Sequence, residues 1–344
     1  MPLKIQFTPK FYMRLSVTMA VLVWVIVTLI QILEVLAVKS GVDLEISKYL
    51  PILLEDLFYI FIIVYFRYKI RSVESGGFVD LLWRVFAIGL VTTVISLSIM
   101  LFNGQIADSK LGENEFVELF LFNVNRALIS VFLISTFTVW KKLILYQKSR
   151  MLVIYWNVFE IALIASIFFN LTEYNFQENV LFKVLFGIMA VMAIILSGNL
   201  KWVAYLNFKQ KWKSVLIILL ITIYVFYFFS YLYVASDTAL ERFNAIDNLF
   251  IIVVFTFLLF YSVFSALVIL FNLPTSSVFE KKMEEAINFQ RLSQSIQQGE
   301  NEDQIFDVLL TSSMNAVYAD AGWIEINMDL EETKVRSKHI SRES

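Results

Sequence analysis

Apolar residues gather along this chain in eight blocks, at approximately 15–38, 49–66, 81–102, 117–140, 151–171, 181–206, 214–235 and 249–273. Each approaches or exceeds the ~20 residues that a helix needs to cross a hydrocarbon layer of ~30 Å. After residue 273 the pattern changes abruptly. The run Asn272-Leu273-Pro274 halts the last block, with Pro274 as the expected hinge, and Thr275, Ser276 or Ser277 can cap a new helix. Glu280 stands three residues beyond Ser277, as in a capping box. Beyond it, Phe279, Met283, Ala286, Phe289, Leu292 and Ile296 follow one another at steps of four, three, three, three and four. That is nearly a heptad seam with one extra three-residue step, a discontinuity that overwinds a coiled coil. The pattern predicts a helix over 278–298 and a homodimer through it, with a single amphipathic helix lying on a neighbour as the alternative. Gly299 interrupts it. Ile305, Phe306, Leu309 and Leu310 then make a second helix face, and "WIEI" (323–326) alternates like a strand.

Composition agrees with lipid as the solvent. Of 344 residues, 59% are hydrophobic and 17% charged, more apolar surface than a water-soluble fold of this length can hide. Thirty-three Phe and seven Trp beside four Pro and ten Gly describe bulky, lipid-facing helices. A net charge of −2, with basic residues spread over many loops, gives no nucleic-acid footprint. Cysteine is absent and His339 is the one histidine, which removes thiol chemistry and most metal and acid–base sites. No catalytic motif, cofactor or metal ligand set is expected. The first block follows Lys4, Lys10 and Arg14 like a signal-peptide n-region, but it is too long for an h-region and reads as an uncleaved anchor.

Charge in the connections alternates. Lys39 and Lys48 face Asp43 and Glu45 in the first loop, whereas the second carries Arg67, Lys69 and Arg71. Lys110 lies among Asp108, Glu113 and Glu115 in the third, and Lys141, Lys142, Lys148 and Arg150 fill the fourth. The fifth has no basic residue, the sixth has Lys209, Lys211 and Lys213, and the seventh sets Arg242 against Asp237, Glu241 and Asp247. Lys281, Lys282 and Arg291 follow the last block. Basic loops mark the cytoplasmic side, so the expected topology has both termini on the cytoplasmic side of a bacterial plasma membrane.

Inside the blocks, Glu34, Glu55, Asp56, Arg126 and Glu160 are ionisable. An Arg or Asp at a helix centre costs roughly 2.5–3.5 kcal/mol by insertion scales, so partners are expected, with Arg126 pairing to Glu160 or Asp56. Asp56, Glu55, Arg126 and Glu160 form the candidate intramembrane polar site: either an outward-opening pocket for a ligand or ion, or a structural ion pair.

The order of a membrane-exit helix, a linker reading "FQRLSQSIQQGENEDQIFDVLL" and "AVYADAGWIEI" resembles the entry into a GAF domain. The layout is similar to Bacteroidota membrane-anchored sensors in which many spans precede a GAF domain and a SpoIIE-type serine/threonine phosphatase. The resemblance covers residues ~250–326 best. It implies an all-α integral membrane protein of eight transmembrane helices, then a cytoplasmic linker helix and a helix-plus-strand fragment of an α+β domain. The expected divisions are a cytoplasmic N-terminus at 1–14, the spans within 15–273, a signalling helix at 275–298, an incomplete GAF-like segment at 299–326 and a disordered polar tail at 327–344. The chain departs from that family in stopping one strand into the GAF domain, without the phosphatase's acidic metal-binding motifs, as a truncated or split product or a subunit without its own output. The expected function is a signal input module with lipids, an unidentified ligand and a second copy as partners. The alternative is a transporter or channel with a cytoplasmic tail.

Overall fold

The computed structural model describes residues 9–42, 49–72, 77–106, 115–171, 180–236, 248–297, 302–317, 319–328 and 332–338. Eight helices among them are long and apolar enough to cross a membrane, and this is a multi-pass membrane protein. They are α1 (Pro9–Ser40), α2 (Tyr49–Ser72), α3 (Phe78–Ile106), α4 (Glu115–Ile144), α5 (Arg150–Ile167), α6 (Val180–Ser197), α7 (Phe208–Ser236) and α8 (Leu249–Gln297). A ninth helix, α9 (Glu302–Val317), precedes strands β1 (Gly322–Met328) and β2 (Glu332–Lys338). The chain forms two units, residues 1–271 and 272–344.

Local chemistry sets several boundaries that hydropathy misses. α5 starts where the Ser149 hydroxyl accepts from the Leu152 N–H, and Phe168–Leu171 continue it as a 3-10 turn. The sixth apolar block is not one helix to residue 206. α6 stops at Ser197, and a 3-10 turn follows at Lys201–Tyr205. Gly198 and Asn199 are poor helix formers at that stop, and the Asn199 side-chain amide donates to the Ile144 carbonyl at the end of α4 (3.2 Å). α7 begins six residues earlier than its hydropathy, because Asn207 and Gln210 exchange side-chain-to-backbone bonds of 2.8 and 3.1 Å in a capping box.

α4 and α8 each bury 56% of their spanning window, against 28% for α1, α2, α3 and α6. They are the axis of the bundle, with the other faces turned to lipid. Aromatic side chains lock this axis. Phe257 of α8 packs on Phe137 (5.4 Å), Phe159 (5.5 Å) and Trp156 (5.8 Å), and Tyr261 packs on Trp140 (5.1 Å) while accepting from Trp202 Nε1 (2.8 Å). Gly89 lets α3 approach closely: a Cβ there would stand 2.5 Å from the Tyr224 ring and 2.9 Å from Phe132.

Two expectations for the tail are corrected. First, Pro274 does not end a helix and no new helix starts at Ser277. α8 is a single helix of 49 residues passing through that stretch. Proline removes one i−4 hydrogen bond and crowds the Leu270 carbonyl. The residues beyond it, rich in Glu, Lys, Met, Ala and Gln, are strong helix formers, and they carry the helix on. The side chains of the expected seam (Phe279, Met283, Ala286, Phe289, Leu292 and Ile296) lie outside the described residues, as does that of Pro274. Second, residues 332–338 of the tail, expected to be disordered, form β2. It pairs antiparallel with β1 from Gly322↔Lys338 to Met328↔Glu332. A lone β1 would leave a row of unpaired backbone groups, and β2 satisfies one edge of it. Ile324 and Ile326 lie half-buried on one side of the hairpin while Trp323 and Glu325 are exposed on the other. Leu310 and Met314 of α9 are buried, and Gly322 fits against them because a Cβ would meet Met314 Cγ at 2.8 Å. Arg336 also reaches Asp303 on α9 (2.5 Å).

Candidate functional site

Gln31, Glu55, Asn123 and Arg126 share a level of the bundle because of where they sit on their helices. Gln31 stands nine residues before the end of α1, Glu55 six after the start of α2 and Arg126 eleven after the start of α4. At ~1.5 Å per residue these are depths of about 14, 9 and 16 Å. An ion pair between Lys39 and Glu115 (3.3 Å) holds the end of α1 to the start of α4, so all three depths count from the same end.

The resulting network is continuous. Arg126 Nη1 pairs with Glu55 Oε1, and Nη2 donates to Asn123 Oδ1 (2.9 Å). Asn123 Nδ2 donates to Gln31 Oε1 (2.7 Å), and Trp24 Nε1 reaches the Asn123 carbonyl (3.2 Å). The guanidinium lies 5.7 Å over the Phe122 ring. Gln31, Asn123 and Arg126 are all buried. Burying two charges is tolerable when they are paired and their remaining donors are satisfied, and this geometry meets both conditions across α1, α2 and α4. It is a closed, mutually bonded cluster.

Asp56 is different. It is fully buried beside Glu55, and neither carboxylate oxygen has a hydrogen-bond partner among the described residues. One turn further along α2, buried Tyr59 packs on Phe250 at the start of α8 (5.5 Å). The polar level of α2 is therefore one helical turn from a direct contact with the axial helix.

Glu160 belongs to another place. The expected Arg126–Glu160 and Arg126–Asp56 pairs do not form; Glu55 takes Arg126, and Glu160 takes Lys141. Both Glu160 oxygens accept from Lys141 Nζ (2.7 and 2.5 Å), and Oε2 also accepts from Trp156 Nε1 (3.1 Å). Lys141 lies fifteen residues beyond Arg126 on α4, about 22 Å along the axis. α4 and α5 join through a short turn at 145–149, so the start of α5 stands beside the end of α4. This connectivity puts Glu160 out of Arg126's reach. Gln31, Asn123, Tyr59 and Lys141 were missed from the sequence. The signals were present in a lone Gln within an apolar block and in "NVNR" (123–126) within another. A second polar link, from Asn125 Nδ2 to Ser96 Oγ (2.9 Å) and on to Tyr227 OH (3.2 Å), ties α4 to α3 and α7.

Comparison with family models, curated proteins and solved structures returns no match for this chain. Among the described residues, no group of His, Asp or Glu side chains has the spacing to hold a metal ion.

Proposed function

We propose that this protein is a membrane-embedded input module for signal transduction, in which the α1–α2–α4 polar cluster sets the position of α8 and an output domain reads α8 beyond the membrane. One observation carries the reading. A single 49-residue helix holds both the lipid-spanning stretch packed by aromatic side chains and the charged stretch that begins at residue 278. A continuous helix conveys rotation or translation along its length, whereas a hinged one dissipates it. Tyr59–Phe250 supplies a contact through which a change at Glu55, Asp56 or Arg126 biases the start of that helix. A signal needs an element with two arrangements that both ends favour differently, and the irregular seam of Phe279, Met283, Ala286, Phe289, Leu292 and Ile296 supplies a reason for two registers in a parallel homodimer.

The loop charges support cytoplasmic termini in a bacterial plasma membrane. The order of α9 and β1 supports the likeness to a GAF entry segment, with a phosphatase as the output in the resembled proteins. The chain itself carries no catalytic motif in this reading. The test uses the absence of native cysteine. Cysteines introduced at Phe289 and Leu292 are oxidised in membranes, with and without Arg126→Ala. Inter-subunit product whose yield changes with Arg126→Ala supports the reading. No product at either position sinks the paired seam, and product indifferent to Arg126 sinks the coupling.

Asp56 favours a second reading, an ion- or proton-coupled transporter, because a buried carboxylate without a hydrogen-bond partner among the described residues is suited to a passing cation. Flux in proteoliposomes that disappears in Asp56→Asn supports this over signalling.

A further inference from the structure

A second polar region lies where the C-terminal ends of α2 and α4 meet α5, and the signalling reading does not use it. A cleft of about 520 Å³ opens there. Arg67, Lys141, Lys142 and Lys148 line it together with one carboxylate, Glu160. That carboxylate is already neutralised, since it accepts three hydrogen bonds from Lys141 and Trp156. Arg67, Lys142 and Lys148 make no ion pair among the described residues. Three cations therefore converge on one concavity with no internal anion left to balance them. Ile63, Phe137 and Leu145 add apolar lining to the same cleft.

Basic residues at membrane interfaces are ordinary, and a flat belt of them attracts any anionic surface. This cleft differs in two respects. Its cations come from separate helices and from the α4–α5 turn yet line one concavity. Its apolar lining also matches an amphiphile, not a free ion in water. We propose that the cleft binds the phosphate of an anionic phospholipid headgroup, with Arg67, Lys142 and Lys148 on the phosphate oxygens and the first acyl carbons along Ile63, Phe137 and Leu145. Arg67 offers a planar fork suited to two phosphate oxygens, and the lysines act as point charges. Glu160 serves by holding Lys141 and the adjoining turn of α4 in place.

The inference requires only that the protein spans a membrane, so it stands or falls apart from the signalling reading. The test uses the full chain in a zwitterionic detergent, titrated separately with dioctanoyl phosphatidylglycerol, dioctanoyl phosphatidylcholine and inorganic phosphate, and read by thermal stability. Saturable stabilisation by phosphatidylglycerol, absent with phosphatidylcholine, is expected, and Lys142→Gln/Lys148→Gln should weaken it at least tenfold. Lys148 is exposed and Lys142 only half-buried, so the variant is expected to fold. Lys209→Gln/Lys213→Gln, which removes two exposed charges from the start of α7, should leave it unchanged. Stabilisation by inorganic phosphate at the same concentrations would assign the site to free phosphate and overturn the lipid. Equal loss in the two double variants would reduce the effect to general surface charge, and no response to phosphatidylglycerol would remove the site.

Discussion

Arg126 shows how one side chain organises its surroundings. In lipid, its charge is tolerable because Glu55, Asn123 and the Phe122 face surround it. Arg126→Ala leaves Glu55 charged and buried, and breaking a buried pair this way costs about 3–5 kcal/mol. Glu55→Gln/Arg126→Leu should recover most of that loss, because it removes both charges together. Thermal unfolding of the wild type, Glu55→Gln, Arg126→Leu and the double variant in detergent gives the cycle; losses that simply add would show that the two side chains act independently. Asp56 should behave in the opposite way. With no hydrogen-bond partner for either oxygen among the described residues, its desolvation is uncompensated, so Asp56→Leu is expected to keep or raise the unfolding temperature. A large drop would reveal a partner that the described residues do not include. The ionisable residues themselves were readable in the sequence. Their pairing was not, because it depends on which helix faces which and at what depth.

At the scale of elements, termini and close approaches follow from small chemical details. The Asn207–Gln210 capping box begins α7 well before its hydrophobic stretch, and the pattern N-x-x-Q was visible in the chain. The end of α6 is also legible in Gly198-Asn199, although hydropathy alone runs straight through it. The close packing at Gly89 was not legible, since nothing local marks a glycine that faces Tyr224 and Phe132. Gly89→Leu should prise α3 from α7 and lower thermal stability more than Gly187→Leu, where a Cβ would meet nothing within 4 Å. Melting curves for the two variants decide this. In the hairpin, Gly322→Val should push β1 off Met314 and Leu310, and faster hydrogen exchange of the β1 amides in the full chain would report the lost packing. The hairpin was half readable: β1 alternates clearly, whereas "ETKVRSK" is too polar to suggest a strand until its partner is known.

The whole molecule is organised around α4 and α8, and no span announces that role by its composition. All eight are strongly apolar, yet α4 and α8 are twice as buried as α1 or α6. Trp140, fully buried against Tyr261, should be far more costly to truncate than Trp83, which is 58% exposed on α3. Trp140→Ala is expected to cost about 3–5 kcal/mol, and Trp83→Ala close to nothing. Comparable losses in thermal unfolding would mean that the axis lies elsewhere. The second unit has a small core of its own on Leu310, Met314 and Gly322.

The existence and number of the spans and the abrupt change of chemistry after residue 273 were determined by the sequence itself. Partition between hydrocarbon and water acts on each stretch of about 20 residues independently of the rest. Tertiary structure alone decided that Glu55, not Glu160, neutralises Arg126, that α8 passes unbroken through Pro274, and that residues 332–338 become a strand. Each of these outcomes depends on a partner distant in the chain or on competition between neighbouring stretches, and local hydropathy carries no record of either.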